Sequence, residues 1–188
     1  MFSGKTTRLI SRVNALRPMF ERAEIVKWAK DTRYGSAHSI VTHDGLVLGN
    51  GVTSMKSLKE IDLSGNSQVL FAVDEGQFFE KDELPDLWER IQARNVNRAE
   101  DQMDVLLVAG LDRDFRKQRF GSILDLADQA RHNPRVSVEM LHSKCFQCGE
   151  PAAYSMRLAS LEEQVVVGGA DVYQAACEAH HKCPALEP

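Results

Sequence analysis

Two uninterrupted apolar runs, at 69–73 (VLFAV) and 105–109 (VLLVA), constrain the fold more than anything else in these 188 residues. A strand with one wet face alternates polar and apolar residues, so a strand with no polar residue must be covered on both faces. Between the two runs, residues 84–97 place Leu84, Leu87, Trp88 and Ile91 on one side of a helix. Strand, helix and strand in that order predict a parallel α/β sheet flanked by helices. Leu9, Val13 and Leu16 recur at helical spacing, and Arg17-Pro18 stops that pattern. Residues 23–29 (AEIVKWA) form a short strand-like segment, 30–51 read as a long mobile loop, and 136–141 alternate like a strand. From Cys145 onward the pattern breaks into short strands and loops around cysteines. The division expected is therefore an α/β domain over 1–141 and a small lobe over 142–188.

Composition narrows the setting. Hydrophobic residues at 43% and charged residues at 27% suit a soluble globular chain. No run approaches the roughly 18 apolar residues of a membrane span, and the opening MFSGKTTRLI lacks the apolar centre of a signal peptide. A cytoplasmic protein is expected. The net charge of −4 argues against a protein that coats nucleic acid, because neutralising phosphates takes a basic surface.

Three constellations carry chemistry. Ser3-Gly4-Lys5-Thr6 opens a helix and supplies the second half of a phosphate-binding loop. Glycine lets the backbone approach phosphate, lysine reaches it, and the hydroxyl holds Mg²⁺. The first glycine of that motif would lie ahead of Met1, and alone the three residues also fit an ordinary helix start. The 69–73 run ends in Asp74-Glu75, where a phosphoryl-transfer enzyme places a metal-orienting acid and where a neighbouring carboxylate can take a proton from a hydroxyl. Finally, Cys145, Cys148, Cys177 and His180 form two knuckles with matching two-residue gaps. Four such ligands suit tetrahedral Zn²⁺, and a closed set makes it structural. His181 and Cys183 compete for the fourth position, which the register of the knuckles gives to His180. A further set, Phe78, Leu111, Phe115 and Tyr173, offers stacking surface for a base, although each taken singly also suits a core.

The ordered blocks Met1-Phe-Ser-Gly-Lys-Thr6, Lys27-Trp-Ala-Lys-Asp-Thr-Arg-Tyr34, Thr42-His-Asp44 and Asp74-Glu-Gly-Gln-Phe-Phe79 resemble those of the cellular-type thymidine kinases. So do Gly110-Leu-Asp-Arg-Asp-Phe-Arg116, Phe120-Gly121, Ala153-Tyr-Ser-Met-Arg-Leu158 and Gly168-Gly-Ala-Asp-Val-Tyr173. The resemblance covers nearly the whole chain. It implies a P-loop type α/β fold with a zinc lobe, and transfer of the ATP γ-phosphate to the 5′-hydroxyl of thymidine in nucleotide salvage. Glu75 matches the general base, and Arg33 a residue steadying charge near the reacting phosphates. Ser3, Gly4, Lys5, Thr6, Asp31, Asp74 and Gln77 match the site for ATP and Mg²⁺. Met1, Phe78, Leu111, Phe115, Ser155, Val166 and Tyr173 fall in the nucleoside pocket, with Tyr154 at its entrance. Residues 157–167 correspond to the lasso loop, which the zinc lobe ties down. A homotetramer and feedback inhibition by thymidine triphosphate are implied as well.

Three departures from the family pattern stand out. Relatives have a strand ahead of Met1-Phe-Ser-Gly-Lys, in mid-sheet beside the strand ending in Asp74, so the resemblance implies a chain truncated at its N-terminus. A catalytically dead or impaired fragment of the same family is the alternative that follows. His180 stands where many relatives have cysteine, and 95–104 (NVNRAEDQMD) reads as a solvated insertion away from the chemistry. Readings outside the family are a P-loop ATPase that moves a partner through its zinc lobe, and a zinc-ribbon nucleic-acid binder. The aromatic set opposes the first. Glu150, Glu162, Glu163, Asp171 and Glu178 on the lobe oppose the second.

Overall fold

The computed structural model describes residues 2–31, 38–42, 45–49, 51–158 and 168–182. Helix α1, Lys5–Leu16, presents Leu9, Ile10 and Val13 on one buried face, and Pro18 turns its end into a single 3₁₀ turn. Strand β1, Arg22–Trp28, follows. Part of the expected loop at 30–51 is a small antiparallel hairpin, β2 (Ile40–Val41) with β3 (Val47–Leu48). Strand β4, Val52–Met55, then lies parallel to β1. Strand β5, Val69–Val73, is buried along its whole length, as its composition requires. Helix α2, Glu83–Asn95, leads to strand β6, Val105–Val108, and helix α3 spans Ile123–Ala130.

The four long strands form one parallel sheet in the order β4-β1-β5-β6. Residues of β5 alternate between two cores. Val69, Phe71 and Val73 pack with Leu84, Leu87 and Ile91 of α2, while Leu70 and Ala72 meet Leu9, Ile10 and Val13 of α1. At about 1.5–3 kcal/mol per fully buried side chain, these layers hold the sheet between its helices.

The chain leaves β1 toward β4 on one side, then crosses to β5 and β6 on the other. The strand order therefore reverses between β1 and β5, and the carboxyl ends flanking such a reversal are where open parallel sheets bind ligands.

Three expectations are corrected. Both edges of β5 are taken, by β1 and β6, so no further strand can lie beside the one ending in Asp74. Residues 136–141 form no strand: among the described residues none runs beside them, and extended chain without a partner gains no ladder bonds. The stretch 95–104 is solvated only in its middle, with Val96 at 76% exposure, while Asn95 and Asp104 at its ends are buried.

Beyond Leu141 the elements are short. Strand β7, Ser143–Lys144, pairs with β8, Pro151–Ala152, and β9, Tyr154–Arg157, pairs antiparallel with β10, Tyr173–Ala176. A single 3₁₀ turn, Glu178–His180, follows.

Candidate active site

At the switch point, the start of α1 faces the end of β5. Gly4 caps the helix at φ 74°, in the left-handed region that glycine enters without steric cost. The first amides of a helix have no intrahelical acceptor and carry the positive end of its dipole. No acidic side chain in the first turn of α1 cancels that field. Lys5 Nζ donates to Ser3 Oγ at 3.3 Å. Thr6 Oγ1 lies 3.2 and 3.4 Å from the two carboxylate oxygens of Asp74. A hydroxyl beside a carboxylate is a hard oxygen pair of the kind Mg²⁺ takes.

Burial drives the Asp74 carboxyl up to about 7, with the charges of Glu75 and Asp31 adding and the Thr6 hydroxyl opposing. A cation bound beside it would favour the ionised form and bring that value back down.

Glu75 itself sits at φ 53°, a left-handed conformation uncommon for a residue with a side chain. Its surroundings hold it there. Gln77, 2% exposed, donates from Nε2 to Glu75 Oε2 at 2.6 Å and accepts from the Leu111 N–H at 2.9 Å. Two glycines make room for this glutamine. A Cβ on Gly110 would lie 2.5 Å from its Oε1, and one on Gly121 would lie 2.4 Å from its carbonyl oxygen. Gln77, placed by resemblance with ATP and Mg²⁺, thus spends its amide on the neighbouring acid and on the backbone of the next loop.

Ser3, Gly4, Lys5, Thr6, Asp31, Asp74, Glu75 and Gln77 line one cavity of about 490 Å³. Its other walls include Phe78, Leu111, Phe115, Ser155 and Tyr173. Phe78 stacks on Trp28, with ring centroids 4.7 Å apart, and meets Phe120 edge-on at 5.6 Å. The Arg157 guanidinium lies 3.7 Å from the Phe115 ring centroid and donates to Tyr173 Oη at 2.6 Å. These aromatic rings are therefore fixed in place before any ligand enters.

Met1, Arg33 and Val166 lie outside the described residues, as do Cys183 and most of the lasso segment, 159–167. Thr42, Asp114 and Phe120, which line the cavity, and Trp28, which backs it through Phe78, escaped the sequence reading as site residues. Trp28, in the Lys27–Tyr34 block, gave a motif-level signal; buried Thr42 and Asp114 gave only their presence in other blocks.

Cys145, Cys148, Cys177 and His180 converge, with all ligand atoms within 4.8 Å of one another. A tetrahedral ion ~2.3 Å from sulfur and ~2.05 Å from nitrogen sets ligand spacings of roughly 3.8 Å for S···S and 3.6 Å for S···N. The Cys148–Cys177 sulfurs are 3.8 Å apart, and His180 Nδ1 lies 3.6 Å from Cys145 Sγ and 3.2 Å from Cys177 Sγ. The donor set and spacing fit zinc. Burial opposes ionisation of Cys145, but N–H groups of Cys177, Cys148 and Gln147 outweigh it and bring the thiol down to about 5. The Glu150 N–H favours ionisation of Cys148, yet burial and the adjoining sulfurs of Cys145 and Cys177 push that thiol up. A cation removes this conflict. Phe146 and Lys144, beside the first knuckle, line the same cavity as Asp74, so the Cys₃His cluster stands near the pocket's rim.

A parallel α/β sheet with carboxylates and a helix start at its switch point, and a Cys₃His cluster beside the cavity they line, mark this as an α/β protein with an appended lobe able to hold a metal. Within that class, the chain belongs to the thymidine kinase family, whose profile matches residues 1–181. It is 35% identical over 180 residues to cytosolic thymidine kinase of Homo sapiens, covering 94% of this chain and 68% of that protein. The figures are the same for cytosolic thymidine kinase of Cricetulus griseus. A thymidine kinase of Yaba monkey tumor virus is 33% identical over 177 residues, covering 94% of this chain and 87% of its own length. Among the described residues no helix is long and apolar enough to cross a membrane.

Proposed function

We propose that this chain is an ATP-dependent thymidine kinase of P-loop type, transferring the γ-phosphate to the 5′-hydroxyl of thymidine. The observation that carries the reading is the single cavity in which the Gly4-Lys5-Thr6 helix start, the Asp74-Glu75 pair and the Phe78, Phe115 and Tyr173 rings meet. Amides of the first turn of α1 and the Lys5 ammonium bind phosphate oxygens. Thr6 and Asp74 would hold Mg²⁺, which when bound neutralises charge on the phosphates. Glu75, held by Gln77, accepts the proton that leaves the nucleoside hydroxyl as that oxygen bonds to the γ-phosphorus and the bond to the β,γ-bridging oxygen breaks, releasing ADP. Phe78, Phe115 and Tyr173 seat the base, and Leu111 and Ser155 complete the wall. Arg33, Met1 and Val166 enter the reading on resemblance alone.

Residues 1–141 serve as the kinase domain and 142–188 as a lobe built on structural Zn²⁺. The resemblance also supports a homotetramer, with thymidine triphosphate as feedback inhibitor. The names of the relatives support a cytosolic location.

The test is formation of thymidine monophosphate from Mg-ATP and thymidine. Glu75→Gln is expected to lower the rate by about 10²- to 10⁴-fold, the range of a general base, with thymidine still bound. An unaffected rate in the variant means that another group takes the proton. ATP hydrolysis by the unaltered chain that ignores thymidine means that the acceptor has been misread.

A further inference from the structure

Phe115 sits on a tight turn between β6 and α3, and the turn is gripped from two directions. On its inner side, buried Asp114 Oδ1 accepts from the N–H groups of Arg116 and Gln118 at 2.8 and 2.9 Å. On its outer side it meets the metal lobe. His181 Nε2 lies 3.0 Å from the Phe115 carbonyl oxygen. A carbonyl only accepts, so His181 donates from Nε2. Lys117, at the turn's tip with φ 62°, donates to Glu178 Oε1 at 2.6 Å and sits 4.3 Å above the Tyr154 ring centroid. Glu178 is 72% exposed in this pair, and exposed ion pairs add little. The hydrogen bond from His181 is the stronger handle.

The position of His181 is set by the metal knuckle. The N–H groups of both His180 and His181 donate to the Cys177 carbonyl, at 3.2 and 3.0 Å. One short turn therefore aims His180 Nδ1 at the three sulfurs and His181 Nε2 at Phe115. The His181 ring is braced edge-on by Tyr154, with centroids 5.6 Å apart.

We infer that His181 is a positioning residue for the nucleoside pocket. It holds the Phe115 backbone in register with Tyr173 and Arg157, and it makes nucleoside affinity depend on metal loading of the neighbouring cluster. Linkage requires the converse: nucleoside binding strengthens metal retention by the same factor. The inference rests on the reading that thymidine occupies this cavity.

The experiment is calorimetric titration of the zinc-loaded full chain with thymidine, and separately with ATP, for the unaltered protein, His181→Ala and His181→Gln. Losing one hydrogen bond to a half-enclosed carbonyl is expected to weaken thymidine binding by about tenfold in His181→Ala, with ATP affinity held within about twofold. Glutamine can present an N–H at a similar reach and should restore most of the loss. Equilibrium competition for zinc with a colorimetric chelator, with and without thymidine, supplies the second readout. Thymidine should raise zinc affinity about tenfold in the unaltered chain and about twofold or less in His181→Ala.

Equal thymidine affinity in His181→Ala and the unaltered chain overturns the inference. So does a glutamine variant no better than alanine, or thymidine protecting zinc equally in the unaltered chain and His181→Ala. An unaltered chain that binds ATP but no thymidine strikes the proposed function itself, which is a separate result.

Discussion

Asp74 and Asp104 are both buried carboxylates at the ends of adjacent parallel strands, and their surroundings are opposite. Asp104 closes the amino end of β6. Arg94 Nε and Arg98 Nη1 reach its two oxygens at 2.7 and 3.0 Å, and Val69 N–H donates to it at 2.8 Å. The same arginines go on to satisfy carbonyls of the 63–67 loop, Arg94 bonding Leu63, Gly65 and Ser67 and Arg98 bonding Asn66 and Ser67. Asp74 closes the carboxyl end of β5, where the charges acting on it are two further carboxylates, Glu75 and Asp31. One end of the sheet neutralises its acid with protein cations and becomes a clasp. The other end sets its acid against two further carboxylates, and on the proposed reading a bound cation neutralises it. Burial alone does not separate structural acids from functional ones; the sign of the neighbours does.

The sharpest way to break this contrast is to remove the clasp. Asp104→Ala leaves two largely buried guanidinium groups without their anion, and breaking such a pair typically costs about 3–5 kcal/mol. Chemical denaturation should show that loss, while kcat of the remaining folded protein stays near the unaltered value. A loss of kcat at full folding would mean that the clasp reaches the site.

Asp74→Asn should do the reverse. Phosphoryl transfer is expected to fall by about 10²- to 10³-fold, the scale of one preorganised electrostatic group, with no loss of stability. The pH dependence has a definite sign. The folded carboxyl lies at about 7, above its ordinary value of 3.8. The folded state therefore holds a proton that the unfolded chain gives up between those values. The stability contribution is complete below about 4 and is lost as pH rises through about 7. In metal-free, nucleotide-free buffer, Asp74→Asn should consequently melt higher than the unaltered chain at pH 8, and the difference should shrink at pH 5. The opposite ordering at pH 8 would mean that Asp74 is already neutralised from within the protein.

The contrast also marks what the sequence could carry. The strands β5 and β6 and the helices α1 and α2 were legible because their apolar patterns are local. So were the positions of Gly4, Lys5, Thr6 and Asp74, at a helix start and just past a strand end. Strand β4 was not legible: Val-Thr-Ser-Met at a sheet edge buries only Val52 and offers neither an apolar run nor a full alternation. Residues 136–141 failed in the other direction, since alternation alone does not supply a neighbouring strand. The Asp104 clasp was hidden in a stretch dismissed as solvated. Its one local sign was Arg94 in the last turn of α2 and Arg98 just beyond it, followed by an acid directly before an apolar strand. Long-range pairings such as Gln77 with Leu111, or His181 with Phe115, leave no mark in composition or periodicity.

Gln77 tests the comparison at its finest grain, because it does for Glu75, with neutral hydrogen bonds, part of what the arginines do for Asp104. Its amide ties the Glu75 carboxylate to the Leu111 backbone, three positions after β6 ends at Val108. Met is close in shape and makes neither bond. Gln77→Met is therefore expected to free the Glu75 side chain to sample other rotamers, lowering kcat by about tenfold, the worth of one or two net hydrogen bonds. KM for ATP should stay within about twofold, since a group that only orients the base adds little to ground-state binding. Gln77→Glu keeps the acceptor for Leu111 N–H but sets a second carboxylate against Glu75, and should be the slower of the two variants. If Gln77→Met instead raises KM for ATP with kcat unchanged, the glutamine contacts nucleotide, and Glu75 is held in its left-handed turn by the backbone alone.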